Sequence, residues 1–147
     1  MAIPALVLTE QLLSGRRLRL KYLPLLLWGY LQYRLSGEFR IKRAGGPPGM
    51  SQGFPDEIVT DGIYGITRNP MYLGHIIFLG GLTLMTRSPI ALAIFSAVIP
   101  WFRKRARKDE ERLEKKFGPS YSQYRDSVPR WVPVPQIVKD KISKFAA

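Results

Sequence analysis

The alternation of apolar and polar positions divides the chain into three apolar stretches separated by polar segments. These stretches are YLPLLLWGYLQY at residues 22–33, MYLGHIIFLGGLTLM at 71–85 and PIALAIFSAVIPWF at 89–102. The last two lack polar residues at the spacing of a one-faced surface helix, and helices that are apolar all round are buried in protein or in lipid. Because only a short TRS segment separates these two stretches, they are predicted to form a helical hairpin.

Lipid is the favoured environment for this hairpin, because a chain of 147 residues has little protein in which to bury two such helices. Each limb is short for a bilayer, since about 15 residues rise roughly 22 Å and the hydrocarbon core is about 30 Å thick. Pro70 can occupy the first helical turn, and Arg103 and Lys104 can extend to the headgroups. The predicted fold is therefore an all-α integral membrane protein with a central transmembrane hairpin and a cytosolic C-terminal helix and tail.

The chain is predicted to be a single domain with three parts. Residues 1–59 contain N-terminal helices and a loop rich in glycine and proline at 45–57, residues 60–133 contain the hairpin and the polar motifs, and residues 134–147 form the tail. The charged segment after the hairpin has helix-forming composition up to Phe117, where a glycine-proline pair ends it. The tail is predicted to end in a short amphipathic helix on the membrane surface. Because the charges at the N-terminus follow its apolar part, we expect no secretory signal there.

Basic residues dominate the charge of the chain. With 23 Lys and Arg against 11 Asp and Glu, the formal net charge is +12, which favours a nucleic acid or an anionic membrane face as partner. The basic clusters at 16–21, 40–43 and 103–108 each border an apolar stretch, as is usual for cytoplasmic helix ends. We therefore expect membrane lipids as partners, at the inner or cytoplasmic membrane with the functional site on the cytosolic face. The other interpretations are a soluble helical protein with basic faces and a nucleic-acid-binding protein, although no recognised nucleic-acid module is present.

The composition excludes several kinds of site. The chain contains no cysteine, which rules out disulfides, thiolate catalysis and cysteine-ligated zinc, and its single histidine cannot form a histidine metal cluster by itself. No metal site is expected. The glycine-rich phosphate-binding patterns, the serine-hydrolase motif and the zinc-protease motif are missing as well. His75, within an apolar run, is interpreted as a packed or hydrogen-bonded side chain.

Two polar clusters flank the predicted hairpin. Their members are Arg68, Asn69 and Tyr72 around the start of the first limb, and Arg103, Arg105, Glu110 and Glu111 after the second. Because a hairpin returns the chain to the side from which it started, both clusters should meet at one membrane face. Near a low-dielectric boundary, arginine and glutamate attract ligand charge more strongly than they do in water. The sequence thus predicts a functional site where the clusters meet.

The residues of these clusters resemble a known family. TDGIYGITRNPMYLGH at 60–75, followed by DEERLEKKFGPSYSQYRDSVPRWVP at 109–133, is similar to the membrane methyltransferases of the isoprenylcysteine carboxyl methyltransferase and phospholipid methyltransferase group. Their pattern is roughly G-x-Y-x-x-x-R-(H or N)-P-x-Y-x-G, then an apolar hairpin, then E-E-x-x-L-x-x-x-F-G-x-x-Y-x-x-Y. Residues 60–133, about half of the chain, contain it. The two motifs in this order are specific, whereas either motif alone is weak.

The chain departs from the family pattern in three ways. Asn69 stands where the isoprenylcysteine enzymes have histidine, as in shorter bacterial relatives. The acidic pair is shifted, so that Asp109 and Glu110 match best and Glu111 lies one step beyond. The part before residue 60 is short, and in larger members this part helps to form the entrance for the lipid substrate. The identity of the substrate is therefore the property that the resemblance transfers least.

The resemblance implies S-adenosylmethionine as cofactor and methyl transfer to a lipidic or small amphipathic acceptor, through a carboxylate, an amine or a thiol. The cofactor has a carboxylate, an ammonium and a sulfonium group, so its site needs a cation, an anion and aromatic or backbone contacts. The implied catalytic residues are Arg68, Arg105 and Glu110. The implied cofactor-binding residues are Asn69, Pro70, Tyr72, Gly74, Glu111, Tyr121 and Tyr124. Structural roles are open beside these, with Arg68 as a headgroup anchor and Gly74 in close helix packing.

Two mechanisms fit these residues. Methyl transfer mainly needs alignment of nucleophile, methyl carbon and sulfur, so positioning should contribute most of the acceleration. A carboxylate acceptor needs no general base, and Arg105 would orient it while Glu110 braces that arginine or holds the cofactor. For an amine acceptor, Glu110 is the candidate proton acceptor. Two other classes of function are open, a non-catalytic small membrane subunit of a larger complex and a reductase on a similar membrane scaffold; the oligomeric state is not predicted.

Overall fold

A computed structural model describes residues 2–46 and 55–132 of the chain. These residues form five α-helices, α1 Ala2–Ser14, α2 Leu23–Ala44, α3 Pro70–Thr86, α4 Pro89–Phe117 and α5 Pro119–Ser127. Short 3₁₀ turns at Leu20–Tyr22 and Gly62–Gly65 precede α2 and α3. The described ranges contain no strand, so the all-α prediction is confirmed. The amphipathic helix predicted in the tail and most of the predicted Gly/Pro loop lie outside the described residues.

The predicted hairpin is formed by α3 and α4, which are joined at Arg87 and Ser88. Pro70 starts α3 at a position where no backbone donor is needed. Arg87 ends it in the left-handed region with φ 53°, and its N–H donates to the carbonyl of Thr83. Ser88 then caps α4, because its hydroxyl oxygen accepts a hydrogen bond of 3.0 Å from the backbone N–H of Ala91.

Helix length differs from the prediction. Nowhere in residues 2–46 or 55–132 does a helix combine the length and the apolar character that crossing a bilayer requires. α3 has 17 residues, and the apolar first half of α4 continues into the charged second half of the same 29-residue helix. The structure thus confirms the hairpin but not its predicted transmembrane length. The charged helix predicted after the hairpin is a continuation of α4, and it ends at Phe117 as expected because Gly118 has φ 56°.

Glycines bring α2 and α3 close together. A Cβ added at Gly29 would lie 2.3 Å from the backbone nitrogen of Phe78, and one added at Gly74 would lie 2.7 Å from the backbone nitrogen of Tyr33. No side chain fits at such distances, so both positions require glycine. The contact also fixes where Tyr33 of α2 stands relative to α3.

The first helix packs against the turn of the hairpin. Val7 is completely buried in a cluster with Leu82, Met85 and Ala91. Glu10 accepts hydrogen bonds from the hydroxyl of Ser88 and from the guanidinium of Arg16. These contacts attach α1 to the end of the hairpin at which α3 passes into α4.

At the other end of the hairpin, α5 packs beside the start of α3. Tyr121, Tyr124 and Val128 form a buried cluster there. The hydroxyl of Tyr124 donates a hydrogen bond of 2.7 Å to the carbonyl of Tyr64. This end of the molecule brings α2, α3, α4 and α5 together around the residues of the two motifs.

Candidate functional site

Glu110 is a buried carboxylate bound by residues of two other segments. Arg130 donates two hydrogen bonds to it, from Nε to Oε1 at 3.0 Å and from Nη2 to Oε2 at 2.8 Å. Asn69 Nδ2 donates to Oε1 at 2.9 Å, and Arg68 Nη2 donates to Oε2 at 3.5 Å. The hydrogen bonds to Glu110 raise the pKa of the Arg130 guanidinium above its ordinary value. The two polar clusters that flank the hairpin therefore meet, as the sequence predicts.

Residues just before α3 donate hydrogen bonds to backbone carbonyl oxygens of the segment around the end of α5. Thr67 Oγ1 donates to the carbonyl of Arg130 at 3.0 Å. The backbone N–H of Arg68 donates to the carbonyl of Pro129 at 3.0 Å, and its guanidinium donates to the carbonyl of Arg125. We call this set of contacts the tail clamp. It fixes the backbone of residues 125–130 against the start of α3.

Asp109 is a second buried carboxylate, one residue before Glu110 on α4. The hydroxyl of Tyr72 donates to Oδ2 at 2.5 Å, and Arg105 Nε lies 4.0 Å from the same oxygen. The other oxygen, Oδ1, accepts no hydrogen bond from the described part of the chain, although Arg112 Nη1 lies 3.8 Å from it. Since the side chain is only 4% exposed, water does not readily reach it. One oxygen of Asp109 is therefore able to accept a further hydrogen bond.

A cavity of about 550 Å³ lies among α2, α3, α4 and α5. This volume is within the range of small-molecule and cofactor sites. Its charged and amide lining is formed by Arg40, Arg68, Asn69, Arg105, Asp109 and Glu110. Rings of Tyr33, Tyr64, His75, Trp101 and Phe102 contribute to the aromatic lining. The cavity is thus lined by positively and negatively charged side chains together with aromatic rings.

Eight of the ten predicted site residues line this cavity. They are Arg68, Asn69, Pro70, Tyr72, Arg105, Glu110, Tyr121 and Tyr124. The other two lie elsewhere: Gly74 faces the backbone of α2, and Glu111 is exposed. Successive helical residues are about 100° apart, so a helix that turns positions 109 and 110 inward turns position 111 away. The roles assigned to all ten residues stay predictions.

The sequence prediction did not include all of the residues that form the site. In the sequence, Asp109 belongs only to the shifted acidic pair, and that shift is the available signal for it. Arg130 had no signal beyond its place in the resembling segment. Tyr33 and Arg40 come from α2, which lies before the motifs. Residues outside the two motifs therefore complete the lining.

His75 is packed between aromatic rings, which confirms its interpretation. Its ring centroid lies 4.2 Å from that of Tyr33 and 5.4 Å from that of Phe102. Nδ1 lies 3.1 Å from the carbonyl oxygen of Met71. Because a carbonyl can only accept, Nδ1 bears the hydrogen in this contact.

Comparisons with known proteins agree on one family. Residues 40–120 match the family described as phospholipid methyltransferase. Protein-S-isoprenylcysteine O-methyltransferase of Schizosaccharomyces pombe is 37% identical over 78 residues, which cover 52% of this chain and 33% of that protein. Protein-S-isoprenylcysteine O-methyltransferase B of Arabidopsis thaliana is 39% identical over 79 residues, covering 52% of this chain and 40% of that protein. The chain thus matches between a third and two fifths of the length of these relatives, and no solved structure matches significantly.

Proposed function

The chain belongs to the phospholipid methyltransferase family, and we propose that it is an S-adenosylmethionine-dependent methyltransferase for a lipidic or small amphipathic acceptor. One observation supports this above the others: residues of both family motifs line a single cavity. The names of the relatives, isoprenylcysteine O-methyltransferases, favour a lipid-modified acceptor methylated on oxygen.

The chemistry of the lining suits this cofactor. Asp109 Oδ1 is a buried acceptor without a hydrogen-bond partner in the described ranges, and an ammonium group would supply one. Arg68 Nε is a buried donor in the same condition, and a carboxylate would supply its partner. Each such unpaired group costs about 1–3 kcal/mol, which binding would recover. When bound, S-adenosylmethionine supplies a methyl group on a positively charged sulfur, for which Tyr72 and Tyr121 offer aromatic faces.

The two carboxylates have different tasks in this proposal. Both oxygens of Glu110 already accept hydrogen bonds from protein donors, so Glu110 positions Arg68 and Arg130 and is poorly placed to take a substrate proton. Asp109, with its remaining acceptor, would hold the ammonium end of the cofactor. A carboxylate acceptor, which needs no proton acceptor, is therefore favoured over an amine.

Arg105 is the residue we assign to the acceptor. Its side chain is 33% exposed, and its guanidinium lies 5.9 Å from the centroid of the Trp101 ring. It lines the cavity beside Asp109, so an acceptor carboxylate bound to it would lie near the cofactor. The contribution of Arg105 would be alignment of the attacking oxygen with the methyl carbon, the step that limits such a displacement.

We place this activity at the inner or cytoplasmic membrane, with the cavity on the cytosolic face. Large apolar side chains are exposed on α2 and α4, among them Trp28, Leu35 and Trp101 at 58%, 59% and 55%. Water-soluble monomers rarely expose large contiguous apolar surfaces. Contact with lipid would cover these side chains.

Binding of labelled S-adenosylmethionine to the purified chain in nanodiscs tests the proposed function. We expect saturable binding by the wild type and binding weaker by about tenfold or more for Asp109→Asn, because an amide has no negative charge to pair with an ammonium. Glu111→Gln is the matched control, two residues away and outside the lining, and should bind like the wild type. A wild-type chain without saturable binding would contradict the proposal and favour a non-catalytic membrane subunit.

The fate of the label tests the class of acceptor. Incubation of the chain with cell membranes and methyl-labelled cofactor should place the label in an extractable lipid or lipid-modified peptide. Methyl esters release methanol in alkali, whereas methylamines and thioethers do not. Alkali-labile label is the expected result, and alkali-stable label would overturn the choice of a carboxylate.

A further inference from the structure

The first helix turns Val7 and two polar residues toward the protein and its leucines away from it. Val7 and Gln11 are 0% and 6% exposed, and Glu10 between them is bonded to Ser88 and Arg16. The leucines on the other side, Leu6, Leu8, Leu12 and Leu13, are 53%, 46%, 83% and 86% exposed. A surface helix in water has the opposite arrangement. The outward face of α1 is therefore suited to an apolar surrounding.

This outward face has no polar group that needs a hydrogen bond from water. Successive helical residues are about 100° apart. Measured from Val7, Leu12 therefore lies roughly 140° around the helix in one direction and Leu13 roughly 120° in the other, with Thr9 between them. The hydroxyl of Thr9 donates to the carbonyl of Ala5 at 2.9 Å, so it is satisfied within the helix. No charged side chain interrupts the leucines on this face.

Basic and apolar residues alternate directly after α1, and both kinds are exposed. The basic ones are Arg17, Arg19 and Lys21. Leu18 and Leu20 between them are 42% and 64% exposed. The backbone N–H of Arg19 donates to the carbonyl of Met85 at 2.8 Å, which fixes this segment beside the turn of the hairpin. From residue 11 to residue 37 the chain has no acidic residue.

These features lie at the end of the hairpin opposite to the cavity. α3 has 17 residues between the two ends, a rise of about 26 Å. The basic cluster at 16–21 is thus separated from those at 40–43 and 103–108, which lie toward the cavity end. A partner of α1 would not cover the cavity.

We propose that the exposed leucines of α1, together with Arg17, Arg19 and Lys21, form an anchor that binds the anionic surface of a lipid bilayer. In this anchor the leucines enter the boundary between headgroups and acyl chains, and the basic groups pair with lipid phosphates. A second copy of the chain fits this surface less well. In a two-fold symmetric contact the same patch meets itself, so the basic groups would face one another.

A single labelled cysteine can test the anchor, because the chain has none of its own. Leu13→Cys receives an environment-sensitive fluorophore, and the full chain is reconstituted into phosphatidylcholine vesicles with or without phosphatidylglycerol. We expect blue-shifted emission, quenched by lipids brominated near the headgroup, and a larger shift with phosphatidylglycerol. Lys115→Cys, exposed on α4, is the matched control and should report a polar, unquenched environment in both lipids.

Charge variants test the electrostatic part. Arg17→Gln, Arg19→Gln and Lys21→Gln, combined with Leu13→Cys, should abolish the difference between the two vesicle compositions. The charge-matched control combines Arg107→Gln, Lys108→Gln and Lys115→Gln, all exposed on α4, and should preserve that difference.

Several outcomes would overturn the anchor. They are a label at position 13 as polar as that at position 115, quenching that does not depend on phosphatidylglycerol, and self-quenching that rises with the protein-to-lipid ratio, which would identify a second copy as the occupant. Binding of S-adenosylmethionine by the variants of residues 13, 17, 19 and 21 should equal that of the wild type, so failure of the anchor is distinguishable from failure of the proposed function.

Discussion

The guanidinium of Arg68 connects α4 with α5 in the candidate site. It donates to the carboxylate of Glu110 and to the backbone carbonyl of Arg125, and its Nε has no hydrogen-bond partner in the described ranges. Arg130 binds the same carboxylate from another side. Two cations around one anion leave a net positive charge beside the cavity, which favours the carboxylate of a ligand.

We predict that Arg130→Ala weakens S-adenosylmethionine binding by about tenfold and lowers the free energy of unfolding by about 1–2 kcal/mol. Glu110 would lose both hydrogen bonds from this guanidinium, and Arg68 would lose part of its support. The partial exposure of Arg130, 32% of its side chain, keeps the stability effect at the lower end. Titration calorimetry in nanodiscs and thermal unfolding measure the two effects.

Two further variants distinguish positioning by Arg130 from a general effect of charge. Arg130→Lys keeps the charge without the two-bond geometry and should recover only part of the affinity. Arg125→Ala removes a partly exposed pair with Glu114 and leaves the backbone carbonyl in place, so its affinity should equal that of the wild type. Equal losses for Arg125→Ala and Arg130→Ala would contradict the assigned role.

At the scale of single residues, the sequence predicts contacts that follow from a helical hairpin and misses those that depend on a loop. The meeting of Arg68 and Asn69 with Glu110 follows because both flanks of a hairpin share one end. Arg130 follows α5, and its position depends on backbone hydrogen bonds of the tail clamp that no spacing encodes. Glu111, for which cofactor binding is predicted, lies on the side of α4 that faces away from the site and is exposed.

The α2–α3 contact determines the shape of the cavity at the scale of elements. Its glycines allow backbone to meet backbone, and Tyr33 of α2 comes to lie against His75 of α3 at the cavity. Any group that separates the two helices would also move this aromatic wall.

We predict that Gly74→Ala lowers the free energy of unfolding by about 1–3 kcal/mol, the usual cost of overpacking. Its Cβ would lie 2.7 Å from the nitrogen of Tyr33 and 2.8 Å from the carbonyl oxygen of Gly29, and neither backbone atom can move alone. Gly80→Ala is the matched control on the same helix, because its Cβ would only touch the Phe95 ring at 3.5 Å. Denaturation in one detergent should therefore separate the two variants, and equal losses would contradict the close contact.

The extent of α4 shows what the apolar pattern does not specify. The change from apolar to charged composition near residue 103 suggests a boundary, but the helix continues because composition changes its surroundings and not its hydrogen bonds. Pro100 lies within the helix and removes one donor without ending it. The continuous helix places Asp109 and Glu110 beside the start of α3.

Buried phenols make the whole molecule sensitive to alkaline pH. Burial raises the pKa of Tyr64 from 10.0 to about 12, although the charge of Arg40 opposes the shift. Burial also raises the pKa of Tyr121 and of Tyr124. Because these pKa values are higher in the folded state than in the unfolded state, the stability contributed by neutral phenols is complete below about pH 10 and is lost as pH rises through the folded values.

We predict that the free energy of unfolding falls between about pH 10 and pH 12. Tyr64 contributes up to about 3 kcal/mol of this fall, because each unit by which its pKa is raised corresponds to about 1.4 kcal/mol. Tyr64→Phe should make this fall shallower, because phenylalanine does not ionise. Tyr30→Phe is the control, since Tyr30 is 49% exposed on α2. Chemical denaturation at a series of pH values measures the slope, and equal slopes for Tyr64→Phe and the wild type would contradict the prediction.

For the molecule as a whole, the apolar pattern predicts the hairpin and the end at which the motifs meet. It does not predict the orientation of α1, whose buried edge contains Gln11 and Glu10 while leucines face outward. Polar residues lie on that edge because two hydrogen-bond partners are placed there, Ser88 from the turn of the hairpin and Arg16 from the segment just after α1. The orientation of α1 thus depends on its contacts with the hairpin, which the periodicity of its own sequence does not specify.

The tail clamp binds main-chain oxygens, and such oxygens are the same for every amino acid. Substitutions at residues 125 and 129 can therefore accumulate without loosening the segment, provided that the backbone keeps its path. An inserted or deleted residue would move every oxygen out of register with Thr67 and Arg68. Divergent members of the family with this clamp should consequently vary in side chain at positions 125 and 129 while conserving the number of residues between them and Thr67 and Arg68.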